Sequence, residues 1–358
     1  MLSQKSIYLK KVNLLKQFIA VILALILSLG MLSACGEATV PEENPSDTAS
    51  EPQSENPSEP ITVRLGGLKG PTTMGMVKLL DDAEQGLTQN TYSFTMAASA
   101  DELSPKLLKG ELDILAAPAN LGAVLTSKSG GGIQAIGVST LGVLYIVEKG
   151  EESVRSLSDL KGKTLLATGK GTTPEYALTY LLAQNGLELG TDVQIEWKSE
   201  PTEVVSQMTT MESAVAMLPQ PFVTVASNQL EDLRIAVDLT EAWNQLNNSS
   251  RLVTASLLVR KEFAEQHPDL VQTFLEEYAA STDYVNSQPG EAASLVEKFG
   301  IVKAAIAQKA IPYCNLVCIT GSEMKAALQG YLEVLYSLNP ASVGGALPGE
   351  DYYLIYED

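Results

Sequence analysis

From Ile61 onward the apolar residues fall into two alternating patterns. Short, nearly continuous apolar runs of strand length are followed by longer segments whose apolar positions recur with the period of a helix. The run ITVRLGGLKGPTT (61–73) reads as a strand, a Gly-containing turn and then Thr72-Thr73, opening the helical segment MGMVKLLDDAEQ. One hundred residues later TLLATGKGTT (164–173) repeats the plan: a strand-like run, a glycine turn, and Thr172-Thr173 opening PEYALTYLLAQ. YSFTMAAS ends at Ser99 and VQIEWKS at Ser199, the same offset of 100; LDILAAP ends at Pro118 and SAVAMLP at Pro219, an offset of 101. Helical runs (NLGAVL and QPFVTVA) follow the last pair. Three landmarks holding one register predict two similarly built α/β units, each a parallel sheet with helices on its faces.

Between the halves, IQAIGVSTLGVLYIVEKG (133–150) is strand-like for long enough to cross from one unit to the other. After the second half, LRIAVDLTEAWNQ leads into SSRLVTASLLVRKEF and then into helices near 261–280, 288–299 and 322–337, with no further strand pattern. The chain is therefore expected to return and pack around its first lobe. The predicted organisation is lobe 1 from residues 61–145 and 245–358 and lobe 2 from 146–244, a hinged clam-shell with its cleft between the lobes. The 298 residues involved exceed what one hydrophobic core usually serves.

The N-terminus changes the picture. Lys5, Lys10, Lys11 and Lys16 precede an apolar run from Phe18 to Leu32, followed by Leu32-Ser33-Ala34-Cys35. At 15 residues that run is shorter than the ~20 a spanning helix needs. It reads as a lipoprotein signal (1–34), cleaved to leave Cys35 as the lipid-bearing residue. Residues 36–60 hold five prolines and seven acidic residues with no Lys or Arg, the composition of a disordered tether; the linker is placed at 35–60. Without the signal, 20 basic face 43 acidic side chains, a net charge near −23, which repels nucleic acid and anionic lipid. Lipid, not charge, is expected to hold the protein at the membrane.

The loop ATGKGTTPEY (167–176) carries the candidate chemistry. Gly169 and Gly171 let the backbone turn tightly and approach a ligand, Thr172 or Thr173 can cap the helix, and Thr172 with Glu175 fits a capping box. It is not a nucleotide P-loop, because Lys170 is followed by Gly171 and the upstream glycine is missing. In an open α/β sheet, ligands sit beyond the carboxyl ends of the strands, where helix N-termini offer unpaired N–H groups. Paired with Gly70-Pro71-Thr72-Thr73, two such starts face one cleft from both sides, each favouring acceptor or anionic character by ~0.3–1 kcal/mol. The same rim should carry Ser99, Ser199, Asn120, Gln220, Ser139 and Thr140. The predicted ligand-binding set is Thr72, Thr73, Ser99, Asn120, Thr140, Gly171, Thr172, Thr173 and Gln220: many neutral groups and few charges. Of five arginines only Arg251 is placed near the cleft; Tyr145, Phe222, Trp243 and Tyr313 are candidate aromatic platforms.

Catalysis is not supported. The single histidine, His267, lies between helical runs away from any strand end, so no base can activate a Ser or Cys, and metal ligands are too few. Cys314 and Cys318, four apart, read as buried thiols or as a local disulfide.

A lipoprotein signal, an acidic tether and two cross-connected lobes resemble the solute-binding proteins of ABC importers. LKGKTLLATGKGTTPEYALTYLLAQNGL (160–187), LDILAAPANLGAVL (112–125), LGVLYIVEKG (141–150) and AVAMLPQPFV (214–223) are similar to the nitrate/sulfonate/taurine and thiamine-precursor branch. The resemblance covers essentially all of 61–358 and implies a two-lobed periplasmic-binding-protein type II (Venus flytrap) fold with two crossover segments. It also implies ligand contacts at Thr72, Thr73, Ser99, Asn120, Thr172 and Thr173, no cofactor, and delivery to a permease with a cytoplasmic ATPase. The expected solute is a pyrimidine-like heterocycle or a small sulfonate; the expected form is a monomer on the extracytoplasmic face of the cell membrane. A surface sensor using the same fold is the alternative. A thiamine-pyrimidine-synthase-like enzyme comes last, since its cysteine-rich motif and substrate histidine are missing here.

Overall fold

In the computed structural model, residues 61–356 are described. The expected signal segment, Cys35 and the tether up to residue 60 lie outside them. Eleven strands form two sheets. In chain order they are β1 (Thr62–Leu68), β2 (Thr91–Ala97), β3 (Ile114–Pro118), β4 (Ile133–Leu141), β5 (Leu144–Lys149), β6 (Thr164–Ala167), β7 (Gln194–Trp197), β8 (Ala214–Pro219), β9 (Leu233–Asp238), β10 (Val253–Arg260) and β11 (Leu316–Ile319). The repeat seen in the sequence is real at this level: β1, β2 and β3 correspond to β6, β7 and β8, each followed by a helix.

The first sheet has the order β11-β4-β10-β3-β1-β2 and the second β7-β6-β8-β5-β9. Within each, the three repeated strands are parallel. The strand beside β3 is antiparallel β10, and the strand beside β8 is antiparallel β5. Each sheet thus takes its antiparallel strand from the other half of the chain: β5 follows β4 across, and β10 comes back after β9. Two lobes of one plan, joined by two crossings, are the two-lobed type II architecture expected.

Burial follows position in the sheet. Four of the five residues of β3 are buried, so both faces are covered and the strand is apolar throughout. The edge strands β2 and β7 keep no fully buried residue. Helices cover both faces of each sheet. One apolar cluster, containing Leu107, Leu115, Leu165, Leu178, Trp243 and Leu335, runs through both lobes. Two others fill the remaining faces of the first and second sheets separately.

Two details differ from expectation. The stretch 133–150 is two strands, broken at Gly142-Val143, and the division expected between residues 145 and 146 falls inside β5, all of which pairs in the second sheet. β11, absent from the sequence reading, adds to β4 at the edge of the first sheet; its four residues, LVCI, are too few to show alternation. Of the two readings of the cysteines the structure has the thiols: Cys314 and Cys318 are both free, Cys314 buried and Cys318 half-buried.

At the end of each sheet away from the strands' carboxyl termini sits a buried carboxylate. Asp113 accepts from Arg64 Nε (2.8 Å), from the Arg64 amide (2.9 Å) and from Arg260 Nη2 (3.0 Å). Burial alone would raise its pKa, but the hydrogen bonds from Arg64 and Arg260 outweigh that and hold the carboxyl below its ordinary value. In the second sheet Glu148 plays the same part with Arg234, Ser153 and Val154. Three of the five arginines are thereby committed to the scaffold.

Candidate functional site

The carboxyl ends of β1, β2, β3, β6, β7 and β8 converge on a cavity of about 440 Å³ between the lobes. Lobe 1 supplies Gly70, Pro71 and Thr72 after β1, Ser99 to Asp101 after β2, and Pro118 at the end of β3. Lobe 2 supplies the counterparts: Gly169, Thr172 and Pro174 after β6, Lys198, Ser199 and Pro201 after β7, and Pro219 at the end of β8. Val143, Leu144 and Thr254, beside the crossings, complete the wall. The wall is thus built from the first turns of helices, whose leading N–H groups have no intrahelical partner. Helix Ala100–Leu108 is capped by Ser99, whose hydroxyl and Glu102 form a capping box. Thr172 occupies the N-cap position of helix Thr173–Gln184, but its side chain does not cap the helix.

The capping box expected at Thr172 and Glu175 does not form. Thr172 Oγ1 donates instead to the carbonyl of Gly169 (2.7 Å), and the Glu175 carboxylate accepts from the amide of Gly171. Positive φ at Gly169 (84°) and Gly171 (74°) curls the loop back, which brings the Gly171 amide to Glu175.

Of the nine predicted ligand contacts, Thr72, Ser99 and Thr172 line the cavity. The other six do not. Thr73 is buried, its hydroxyl donating to Leu68 O at 2.6 Å, the carbonyl that Thr72 also uses. Asn120 and Thr173 are fully buried and meet each other: Thr173 Oγ1 donates to Asn120 Oδ1 (3.3 Å), and Asn120 Nδ2 donates to Ser342 O (3.0 Å). Gln220 is buried with its Oε1 accepting from Thr224 Oγ1 (2.9 Å). Thr140 lies inside the first sheet, where its hydroxyl, like that of Ser139, has no partner. Gly171 is exposed behind the loop.

Charge was misjudged from the sequence. Lys69, Lys170 and Lys198 all line the cavity, against one carboxylate, Asp101. Lys198 is paired with Glu196 at 2.6 Å; no carboxylate pairs with Lys69 or Lys170 among the described residues. A cleft rich in cations in so acidic a chain favours an anion. The offset of 100 that aligned Ser99 with Ser199 could have drawn attention to Lys198 beside it, and the GKG turn to Lys170. Arg251, expected near the cleft, pairs with Glu323 (2.8 Å) and does not line the cavity. None of Tyr145, Phe222, Trp243 or Tyr313 lines it either. Trp243 is buried between Tyr180 and Tyr331 (ring centroids 4.9 and 5.6 Å away), Tyr145 and Phe222 are core, and Tyr313 is exposed. Among the described residues no group of His, Cys, Asp or Glu could hold a metal ion.

A family model described as "ABC transporter, phosphonate, periplasmic substrate-binding protein" matches residues 74–310, more than half of the chain. The chain belongs to this family. Its members are binding proteins, not enzymes, and this one is the periplasmic substrate-binding component of an ABC transporter. No curated protein matches the chain. Among solved structures, substrate-binding proteins share its fold. An ABC transporter protein from Parabacteroides distasonis is 22% identical, with 83% of this chain and 99% of that one covered and a TM-score of 0.67. The periplasmic aliphatic sulphonate binding protein SsuA of Escherichia coli is 19% identical over 84% and 96% of the two chains, TM-score 0.65. The alkanesulfonate-binding protein SsuA of Xanthomonas axonopodis pv. citri, bound to MOPS, is 16% identical over 82% and 96%, TM-score 0.63. As a substrate-binding protein the chain places its cavity where the fold rule for open α/β sheets requires it. No helix among the described residues is long and apolar enough to cross a membrane.

Proposed function

We propose that this protein captures a small organic anion of the phosphonate or sulfonate class in the interlobe cavity and delivers it to an ABC permease driven by a cytoplasmic ATPase. The observation that carries the reading is the convergence of Lys69, Lys170 and Lys198 on a cavity walled by helix starts. Cations and helix N–H groups both favour tetrahedral anionic oxygens, and a site that uses them without arginine accepts charge with little demand on planar geometry. The printed family description and the sulfonate-binding proteins of the same fold support the same class. The pyrimidine-like heterocycle loses ground, because no aromatic ring lines the cavity on which it could stack.

On this reading the protein is a monomer held at the extracytoplasmic face of the membrane by lipid on Cys35, with residues 36–60 as its tether. Lobe 2 is formed by β5 and the residues through 244, lobe 1 by the remainder, and the ligand stabilises the closed arrangement by binding it better than the open one.

Native mass spectrometry of the purified protein, followed by calorimetric titration with methylphosphonate, ethanesulfonate and a pyrimidine, tests the proposal. A bound anion, or micromolar affinity for a phosphonate or sulfonate with none for the pyrimidine, supports it. Tight binding of the neutral heterocycle alone would overturn it.

A further inference from the structure

The internal repeat places a pair of polar residues beside each of two seams between the lobes, and the structure treats the pairs differently. The helix after β3 meets the helix after β6 on one side of the cavity. By the repeat, the helix after β8 (Phe222–Gln229) should meet the turn after β1 on the other side, and a Cβ placed on Gly70 would indeed lie 4.0 Å from the Phe222 ring. The polar residues nearest the matching places at this second seam are Gln220, which directly follows Pro219 as Ala119 follows Pro118, and Thr73. At the first seam the two side chains bridge the lobes: Thr173 Oγ1 to Asn120 Oδ1, with Asn120 Nδ2 fixed on Ser342 O. At the second, both turn inward: Gln220 bonds its own helix at Thr224, and Thr73 bonds Leu68.

Packing follows the same division. Helix Thr173–Gln184 packs on helix Gly321–Leu338, on β10 and on helix Ala119–Lys128, inside the apolar cluster that runs through both lobes. The second seam has helix Ala304–Ala310 lying on helix Phe222–Gln229, Val302 resting on the core of lobe 2, and one exposed polar contact, Lys309 Nζ to Asn228 Oδ1 at 3.2 Å. Separating the first seam would expose a continuous apolar core and strip a buried amide of its partner. Separating the second parts one helix pair outside that shared cluster and breaks only an exposed hydrogen bond, which water replaces.

We propose that Asn120 and Thr173 are positioning residues for ligand capture: they pin the first seam, so that the lobes part along the second. The wall from Thr172 to Pro174 then stays in register with lobe 1 whether the cleft is open or closed, and the ligand enters from the Phe222 side. This rests on membership of the binding-protein family and not on which solute is carried.

Spin-label pairs on exposed residues test it in the full chain with Cys318 replaced by alanine: Lys128→Cys with Gln184→Cys across the first seam, and Gln229→Cys with Gln308→Cys across the second. Without ligand, the first pair should give a narrow distance distribution and the second a broad one. Methylphosphonate should narrow only the second. Equal widths at the two seams in the ligand-free protein, narrow or broad, would overturn the proposal. That arm needs no ligand, so failure of methylphosphonate to bind would count against the assigned solute class alone. Thr173→Val and Asn120→Ala should each broaden the first-seam distribution, the double variant no more than either single one, whereas Thr173→Ser should restore it. An additive double variant would show that the two residues do not act as a pair.

Discussion

Thr173 and Asn120, one from each lobe, are joined by a hydrogen bond of 3.3 Å while both side chains are wholly excluded from solvent. These two residues, which read from the sequence as ligand contacts, are here joined to each other. The cavity wall beside them is made by their neighbours Thr172 and Pro118, and the rest of it includes Thr72, Ser99 and three lysines. The predictions below follow from that division between residues that hold the lobes and residues that face the solute.

Removing the cations one at a time should rank them. Lys69→Gln and Lys170→Gln should each weaken binding of a phosphonate or sulfonate by about tenfold, in line with the loss of a charge-assisted hydrogen bond. Lys198→Gln should cost less, because Lys198 is already paired with Glu196. Titration calorimetry at low and high salt reads both the ranking and the accompanying salt dependence. Equal affinity in all three variants would take the lysines out of the site.

Acid should unfold the protein through its buried carboxylates. Asp113 has a folded-state pKa below its ordinary value, and so does Glu148, where hydrogen bonds from Ser153, Val154 and Arg234 likewise overcome the effect of burial. A depressed folded pKa means that the stabilisation is complete above the ordinary carboxylate pKa of about 4 and is lost as pH falls through the lower native value. Stability measured by urea titration should therefore be flat near neutrality and fall below about pH 4. Asp113→Asn should lower stability by ~3–5 kcal/mol at neutral pH, since Arg64 and Arg260 lose their buried partner, and should flatten the acid limb.

Gly142, in the first crossing, packs closely against Thr240 in the helix that follows β9. A Cβ there would lie 2.1 Å from Thr240 Oγ1 and 2.9 Å from its Cβ, so the crossing must move off that helix. Gly142→Ala should destabilise the protein by ~1–3 kcal/mol and weaken ligand binding, with partial recovery on adding Thr240→Ala. Denaturant melts and titrations of the three proteins decide this.

The two thiols should report folding. Burial pushes the Cys318 thiol up to about 11 and Cys314 higher still. At pH 8 iodoacetamide should label Cys318 slowly and leave Cys314 untouched until denaturant is added, with mass spectrometry counting the adducts. Recovery of a Cys314–Cys318 disulfide from freshly purified protein would contradict the free thiols.

Most of the fold was legible because it depends on period and order. Strand-length apolar runs, helical spacing and an offset of 100 residues give the two units, and LVCI escaped because four residues carry no periodicity. The site was less legible. Sequence places Thr73, Asn120, Thr173 and Gln220 at strand ends, which is where they are, but not which way they turn. A residue one step along a helix start faces the seam instead of the cavity, as Thr173 does beside Thr172. The lysines were passed over because net charge was weighed over the whole chain, whereas a ligand responds to the few groups within its reach.

The exchange of antiparallel strands bears on how the chain assembles as it is made. The second sheet is continuous in sequence, from β5 to β9, and can close as soon as residue 238 is available. In the first sheet β10 lies between β3 and β4, so the earlier-made strands have a gap at their centre until residues 253–260 arrive. The lobe whose sequence begins first is therefore the one finished last. Until then β3 and β4 offer unpaired edges to any other strand nearby.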